Sequence, residues 1–215
     1  LAASCAAASG ASSWAYIDNG SDQGTAWRGA GFNDSTWAAG SAQLGYGDGD
    51  EATVVSFGPD PNNKYITTYF RKTFSVTNPT QFTSVILNMI RDDGAVVYLN
   101  GAEVWRLNLP TGTVGYNTLA LAAVADETTW QTVSISPSAL VAGTNTIAVE
   151  MHQNLGTSSD ISFDLALALD GTQYLEAHDL RVQRWASELG WMAPRSLRLA
   201  LGVDRHDADA GRVEG

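Results

Sequence analysis

The fold is decided by residues 95–105, which read Ala95-Val96-Val97-Tyr98-Leu99-Asn100-Gly101-Ala102-Glu103-Val104-Trp105. The apolar run before Asn100 and the shorter run after Gly101 have the composition of β-strands. Asn and Gly both tolerate the positive φ angles of a two-residue type I′ turn. The stretch therefore predicts an antiparallel β-hairpin.

Strand patterns extend outward from this hairpin in both directions. Residues 65–76 are rich in β-branched and aromatic side chains, and Phe70, Phe74 and Val76 are predicted to share one face. Residues 85–90 are apolar enough for a central strand. Because many strands follow one another without intervening helical periodicity, the sequence predicts an all-β fold, an antiparallel β-sandwich or barrel.

Two later strands predict which face is buried. In residues 146–152 the odd-numbered side chains are predicted to face the core and the even-numbered ones to face outward. The inward set is Ile147, Val149 and Met151, and the outward set is Ala148, Glu150 and His152. In residues 161–169 the same alternation turns Asp164 outward, so any working surface is expected on the outward faces or at the loop tips.

The composition supports one folded β-domain and argues against a nucleic-acid partner. The chain has 215 residues, of which 44% are hydrophobic and 16% charged, enough for one sandwich with its own core. The formal net charge of −11 repels a phosphate backbone, and no basic cluster interleaved with aromatic residues offsets it. No apolar run reaches the roughly 20 residues of a membrane-spanning helix, so we expect no membrane span.

The two ends of the chain differ from the strand-rich region, residues 14–172. Residues 1–13 are rich in Ala and Ser, as near a signal-peptide cleavage region or a lipoprotein-type cysteine at Cys5, and the alternative is a plain linker. Residues 173–215 contain six of the twelve basic residues, all of them Arg, and apolar residues at helical spacing. This tail is interpreted as the start of another domain, as a helix packed on the sandwich, or as a non-native extension.

Six segments between residues 14 and 169 match a known pattern in order and spacing. They are residues 32–37, 44–49, 67–74, 92–101, 143–150 and 159–165, the fourth reading Asp92-Asp93-Gly94-Ala95-Val96-Val97-Tyr98-Leu99-Asn100-Gly101. Together they resemble galactose-binding-like jelly-roll modules of secreted bacterial proteins, which are related to the sugar-binding domains of family 2 glycoside hydrolases. The resemblance implies a two-layer jelly roll, a fold that serves several functions.

The resemblance also implies an accessory role. In enzymes that carry such domains, the catalytic carboxylates lie in a separate barrel that this chain is too short to contain. We therefore expect a non-catalytic carbohydrate-binding module of a secreted or cell-surface bacterial multidomain protein, with a polysaccharide or oligosaccharide and a neighbouring catalytic domain as partners. The alternatives are a structural or protein-interaction sandwich that binds no sugar, and a small secreted hydrolase acting on glycans or esters.

A calcium ion is the cofactor that the resemblance implies. Residues 46–51, Tyr46-Gly47-Asp48-Gly49-Asp50-Glu51, offer oxygen ligands on a flexible backbone, as calcium requires. In the family, a structural calcium is often held where this early loop meets the last strand. The ligands nominated on that basis are Asp34, Asp48, Asp50, Asp160 and Asp164, and the alternative is that these aspartates form turns.

Glycan recognition needs an apolar ring under the C–H face of the sugar and polar groups on rigid loops. The candidate ligand-binding residues near predicted strand ends are Tyr46, Arg91, Asp92, Asp93, Trp105, Arg106, Asn108, His152, Gln153 and Asn154. Trp105 leads from the hairpin into a loop, which predicts an exposed indole. For Trp14, Trp37 and Trp130 we expect packing in the core or at its rim.

Two catalytic arrangements compete with the binding hypothesis. One is a hydrolase triad, with His152, with Asp92, Asp93 or Asp160, and with Ser158 or Ser159. The other is a glycosidase pair in which Glu150 and Asp164 lie on neighbouring strands of one face. The sequence contains no Gly-x-Ser-x-Gly, no His-Glu-x-x-His and no phosphate loop, so we assign no catalytic residue.

Overall fold

The computed structural model describes residues 13–126 and 128–171, which form two β-sheets. The predictions for Cys5, for the rest of residues 1–12 and for a helical tail beyond residue 171 lie outside the described residues. Within the described ranges, no helix is long and apolar enough to cross a membrane.

Eleven strands and three 3-10 turns make up the described chain. The strands are β1 (Ser13–Ile17), β2 (Ala38–Ser41), β3 (Leu44–Tyr46), β4 (Thr53–Val54), β5 (Thr67–Val76), β6 (Phe82–Asp92), β7 (Gly94–Leu99), β8 (Ala102–Leu107), β9 (Gln131–Ile135), β10 (Gly143–His152) and β11 (Ile161–Gly171). The 3-10 turns are Ala26–Arg28, Pro79–Gln81 and Pro137–Ala139.

The strands are arranged in a six-stranded sheet and a five-stranded sheet. The six-stranded sheet has the order β2-β1-β5-β10-β7-β8, and the five-stranded sheet has the order β4-β3-β11-β6-β9. The pairings are antiparallel except for β3 with β4, which run parallel. The predicted antiparallel β-sandwich is thus confirmed.

The hairpin forms where the sequence predicts it. Asn100 and Gly101 have φ angles of 53° and 88°, and Leu99 pairs with Ala102 across the turn. The side chain of Asn100 also accepts a hydrogen bond from the backbone N–H of Thr146 at 2.9 Å. Asn100 therefore has two roles. It adopts the left-handed conformation that the turn requires, and its side chain connects the turn to β10 by a hydrogen bond.

The main core lies between the two sheets and follows the predicted alternation. Ile147, Val149 and Met151 are buried there, as are the inward side chains of β6 and β11. Phe163 stacks on Phe70 with ring centroids 4.2 Å apart. Full burial of one such apolar side chain contributes about 1.5–3 kcal/mol, so this interface is the main source of stability.

The outer face of the six-stranded sheet is covered around Glu150 and His152, which corrects one prediction. Glu150 and His152 point away from the main core as expected, but they are only 1% and 0% exposed. A second apolar cluster covers them, formed by the segments between β1 and β2 and between β8 and β9 together with side chains of the sheet. Its buried members are Trp27, Tyr69, Val96, Tyr98, Leu109, Val114, Ala120 and Ala148.

Candidate functional site

An open cleft lies against the outer face of the five-stranded sheet. Its volume is about 400 Å³. The lining residues are Gln43, Asp48, Asp50, Ile90, Ala125, Asp126, Thr128 and Ser162. We call this the acidic cleft, because three of its side chains are carboxylates and no Lys or Arg is among the residues that line it.

Ser162 connects the loop side of the cleft to the sheet. It lies on β11, is fully buried, and donates a hydrogen bond from its hydroxyl to Asp48 Oδ2 at 3.0 Å. Gln43 donates from Nε2 to the Ser162 hydroxyl at 3.1 Å and to Asp50 Oδ1 at 3.4 Å. The early loop therefore meets the last strand, as the family resemblance implies. The polar groups of the cleft are held in position before any ligand arrives.

The loop between β3 and β4 gathers three carboxylates. Oxygens of Asp48, Asp50 and Glu51 all lie within 4.8 Å of one another. Glu51 also accepts hydrogen bonds from the backbone N–H groups of Asp48 and Gly49, each at 3.0 Å. Calcium binds six to eight oxygen ligands in flexible geometry. The exposed Asp48 and Asp50 and the half-buried Glu51, beside a hydroxyl and an amide, therefore fit a calcium ion in their chemistry.

The other nominated metal ligands are placed differently. Asp34 lies outside the three-carboxylate group, and its Oδ2 accepts a hydrogen bond from Arg71 Nε at 2.9 Å. Asp160 accepts a hydrogen bond from Ser159 and packs closely against Gly47, where an added Cβ would lie 2.6 Å from the Asp160 Cβ. Asp164 is 6% exposed and pairs with Ile90 on the outward side of the five-stranded sheet, in the predicted phase.

Asp126 closes the other side of the acidic cleft from a tight turn. Its Oδ1 accepts from the Thr128 hydroxyl at 2.8 Å and from the Thr128 backbone N–H at 3.1 Å, and its Oδ2 accepts from the Thr129 hydroxyl at 2.6 Å. The hydrogen bonds from Thr129 and Thr128 lower the pKa of Asp126 below its ordinary value. The side chain is therefore a stable negative charge at the cleft.

Most of the predicted glycan-binding residues lie at one end of the sandwich. Several of them are buried and form hydrogen bonds between loops. Asp93 is 1% exposed and accepts hydrogen bonds from the backbone N–H groups of Val124 (3.0 Å) and Asn154 (2.7 Å). Gln153 is 1% exposed and donates to the Tyr46 hydroxyl at 2.6 Å. Burial raises the pKa of Tyr46, which keeps its hydroxyl protonated.

Most of the remaining candidates at this end are less buried. Four of them are half-buried, namely Arg91, Arg106, Asn108 and Asn154. Asp92 is the exception, because it is only 2% exposed. Arg106 forms a salt bridge with Glu103, in which Arg106 Nη2 and Glu103 Oε2 lie 2.7 Å apart. The expectation of an exposed indole at Trp105 is wrong, because this side chain is half-buried and packs against the main core. Its assignment to ligand binding stays a prediction.

Beneath the second apolar cluster, Glu150 and His152 belong to a buried polar network. Glu150 Oε1 accepts from the Tyr98 hydroxyl at 2.6 Å and from Arg28 at 3.3 Å. His152 Nδ1 lies 2.7 Å from the carbonyl oxygen of Thr118, which only accepts, so this nitrogen carries a proton. Burial, and next the hydrogen bond to Glu150, raise the pKa of Tyr98. The network ties covering segments to the sheet.

The two catalytic arrangements considered from the sequence are not assembled. The ring nitrogens of His152 face Thr67, Thr118 and Glu150, and the Ser158 hydroxyl instead faces Asp93 at 3.5 Å. Glu150 and Asp164 are not on neighbouring strands of one face, because β10 belongs to the six-stranded sheet and β11 to the five-stranded sheet. The prediction of a paired face was wrong because alternation within a strand does not reveal which sheet holds the strand.

Sequence reasoning missed four of the six polar residues that line the acidic cleft. Asp48 and Asp50 were nominated, but Gln43, Asp126, Thr128 and Ser162 were not. A weak signal was present at Asp126, because an aspartate followed two and three residues later by threonines is typical of an Asx turn. Ser162 gave no signal, since its role depends on a loop more than a hundred residues earlier in the chain.

No family model matches the chain, and no curated protein matches it. Among solved structures, it is similar to a family 2 glycosyl hydrolase from Bacteroides cellulosilyticus (TM-score 0.46, 15% identity, covering 73% of this chain and 20% of that one). It is also similar to a β-glucuronidase from glycoside hydrolase family 2 (TM-score 0.43, 21% identity, 66% and 13%) and to Bifidobacterium dentium β-glucuronidase (TM-score 0.41, 16% identity, 66% and 19%). The chain thus spans about one fifth or less of the length of these structures.

Proposed function

We propose that this chain is a non-catalytic, accessory carbohydrate-binding module of a secreted multidomain protein, and that the acidic cleft is where it holds a glycan. The observation that carries the proposal is the cleft itself, whose volume of about 400 Å³ is in the range of small-molecule sites. Its lining combines two apolar side chains with carboxylate, amide and hydroxyl groups, the kinds of group that hydrogen-bond sugar hydroxyls.

Rigidity supports binding in preference to a loosely formed surface. Ser162 and Ile90 lie on paired strands, and the Ser162 hydroxyl fixes Asp48 while Gln43 bridges Ser162 and Asp50. A ligand then meets acceptors that are already positioned, which reduces the entropic cost of association. Tethered to a catalytic domain, such a module would raise the effective concentration of substrate without any chemistry of its own.

Calcium belongs to this proposal as a structural cofactor. The three carboxylates of Asp48, Asp50 and Glu51 provide the donors, and the glycines on either side of Asp48 allow the loop to converge. Gly47 and Gly49 have φ angles of 115° and 80°, which other residues rarely adopt. A bound ion would link this loop to β11 through the Asp48–Ser162 hydrogen bond.

The test is retardation of the purified protein in native gels that contain a soluble polysaccharide, with dissociation constants from calorimetry for any polysaccharide that retards it. We expect Asp48→Asn with Asp50→Asn to abolish the retardation. The matched control is Asp60→Asn, an exposed aspartate whose Oδ1 accepts a hydrogen bond within its own turn. Equal retardation of the double variant and the control would refute the cleft as the binding site.

A protein-interaction role is the second candidate, and exposed leucines favour it. Leu119, Leu121 and Leu155 are 41%, 67% and 54% exposed. Leu121 and Leu155 lie in two loops that share the Asp93 carboxylate, through Val124 and Asn154. Exposed apolar side chains concentrated near one end of a domain are typical of a contact with another protein. A broad glycan panel without a single bound member would favour this role.

A further inference from the structure

Trp130 lies in an unusual environment for a tryptophan of this protein. Trp14 and Trp105 belong to the main core, and Trp27 and Trp37 belong to the second cluster. Of the tryptophans within residues 13–126 and 128–171, Trp130 alone is assigned to neither cluster, and it is half-buried. An indole partly open to water and outside the core needs another reason for its position.

The register of β9 indicates the side on which Trp130 lies. Gln131 pairs with Met89, whose side chain is in the main core, and Thr132 pairs with Asn88, with the two side chains hydrogen-bonded at 2.6 Å on the outer face. Extending this alternation by one residue places Trp130 on the outer face, level with Ile90. Ile90 and Thr128 both line the acidic cleft, so the extended register puts Trp130 next to two lining residues, although Trp130 is not itself one of them.

The charge of the cleft restricts its ligand. Asp48, Asp50 and Asp126 contribute three formal negative charges, and no cation is among the lining residues to offset them. If calcium binds the three-carboxylate group, Glu51 must be counted as a fourth carboxylate beside the three aspartates. The four negative charges and the two positive charges of the ion then leave a net charge of −2. This net negative charge would repel an anionic sugar that does not coordinate the calcium ion directly, whereas it would attract an ammonium group.

We infer that Trp130 is the aromatic platform at the edge of the acidic cleft, and that the cleft accepts a pyranose chain that is uncharged or carries amino groups and rejects uronates and sulfated sugars. This inference rests on the proposed function, because it names the ligand class of the same site. The indole would lie under the C–H face of one sugar ring, while Asp126, which lies outside the three-carboxylate group, accepts from its hydroxyl or ammonium groups.

The experiment uses the full chain and a panel of soluble polysaccharides sorted by charge. Uncharged galactomannan and xyloglucan, the water-soluble amino polysaccharide glycol chitosan, and anionic polygalacturonate and chondroitin sulfate are each placed in slightly acidic native gels, with and without calcium. Because the whole protein is acidic, retardation by glycol chitosan counts as binding in the cleft only if Asp48→Asn with Asp50→Asn removes it. We expect retardation by an uncharged or amino polysaccharide and none by the anionic ones. Retardation by the anionic members alone would overturn the assignment of ligand class.

The platform is tested with tryptophan variants and the polysaccharide that binds. Trp130→Ala should weaken binding by about tenfold or more, and Trp130→Phe should recover part of it. The matched control is Trp37→Ala, whose half-buried indole packs on the second cluster and which should retain the wild-type dissociation constant once corrected for the folded fraction. Trp105→Ala is measured beside them, because Trp105 is itself a predicted ligand-binding residue. The fluorescence of the wild-type protein should change on titration, and that of Trp130→Ala should change less.

The outcomes separate this inference from the proposed function. If Trp130→Ala binds as the wild type does while Asp48→Asn with Asp50→Asn does not, the platform is refuted and the cleft stands. If Trp105→Ala loses binding instead, the ligand lies elsewhere and both proposals about the cleft fail. If the wild type binds no polysaccharide of the panel, the proposed function fails together with this inference.

Discussion

Asp93 Oδ2 accepts a hydrogen bond from the backbone N–H of Asn154 at 2.7 Å, while Oδ1 of the same carboxylate accepts from Val124 at 3.0 Å. One buried side chain thus joins the loop after β10 to the loop before β9. The relationship matters because Asp93 was nominated from the sequence as a ligand-binding residue, and its hydrogen-bonding capacity is already directed into the protein.

Asp93→Asn is expected to lower the free energy of unfolding by about 2 kcal/mol, because the new amide group would turn a donor toward a backbone donor in a buried site. Urea denaturation measures the change. The exposed Asp60→Asn serves as the control and should stay within about 0.5 kcal/mol of the wild type. Equal stability of the two variants would show that Asp93 does not hold the loops together.

His152→Ala is expected to destabilise the protein by about 2–3 kcal/mol without changing glycan affinity per folded molecule. The reason is that His152 is fully buried and joins β10 to the carbonyl of Thr118 in the covering segment. His152→Asn, whose amide is able to replace the Nδ1 donor, should recover part of the stability. Calorimetric affinity and thermal melting are measured on each variant. If His152→Ala lost affinity while its melting temperature stayed unchanged, His152 would take part in ligand binding and the structural explanation would be wrong.

Local sequence signals predicted the strands and the hairpin because their causes are local. The φ angles at Asn100 and Gly101 depend on those two residues, and the burial of Ile147, Val149 and Met151 depends on strand alternation. Alternation reports which face a residue lies on, but it does not report what covers that face. The burial of Glu150 and His152 comes from segments without a strand pattern, which explains why their environment was not predicted.

The acidic cleft was only partly predictable for a related reason. Asp48 and Asp50 stand out in a glycine-rich loop, but Ser162 and Gln43 are ordinary residue types that acquire a role when β11 pairs with β3. Trp105 shows the opposite kind of error, because a residue predicted to be exposed is partly buried. Its position after a hairpin suggests a loop tip, but its indole packs against the core between the sheets.

Calcium is expected to raise the melting temperature, since an ion that binds only the folded state stabilises it in proportion to its occupancy. At a hundred times the dissociation constant the gain is about 2.7 kcal/mol, or roughly 5–10 °C for a domain of this size. Thermal melting with calcium and with chelator measures it. Asp48→Asn should abolish the response, whereas Asp34→Asn should keep it because Asp34 lies outside the three-carboxylate group. A melting temperature that is the same with calcium and with chelator would refute the calcium site.

The pH dependence of glycan binding should report the turn around Asp126. The hydrogen bonds from Thr129 and then Thr128 lower the pKa of Asp126, so its charge persists as the pH falls through about 4, the ordinary range of an aspartate. For such a group, the folded state is favoured above the unfolded-state pKa, and the contribution is lost as the pH falls through the folded-state pKa. Because Asp126 is fully exposed, we expect the effect mainly in binding and little in stability.

Thr129→Ala removes the first of those hydrogen bonds and is therefore expected to raise the pKa of Asp126. The loss of affinity at acidic pH, measured with the polysaccharide that binds, should then begin at a higher pH. Carbon-detected NMR titration of the Asp126 carboxyl measures the pKa directly, and calorimetry at several pH values measures the affinity. Asp126→Asn should bind the polysaccharide more weakly at neutral pH. Its affinity should also lack the decrease at acidic pH that protonation of Asp126 causes in the wild type. Should Thr129→Ala raise the pKa while the affinity profile stays where it was, Asp126 would not contact the ligand, and the cleft would have to bind through Asp48 and Asp50.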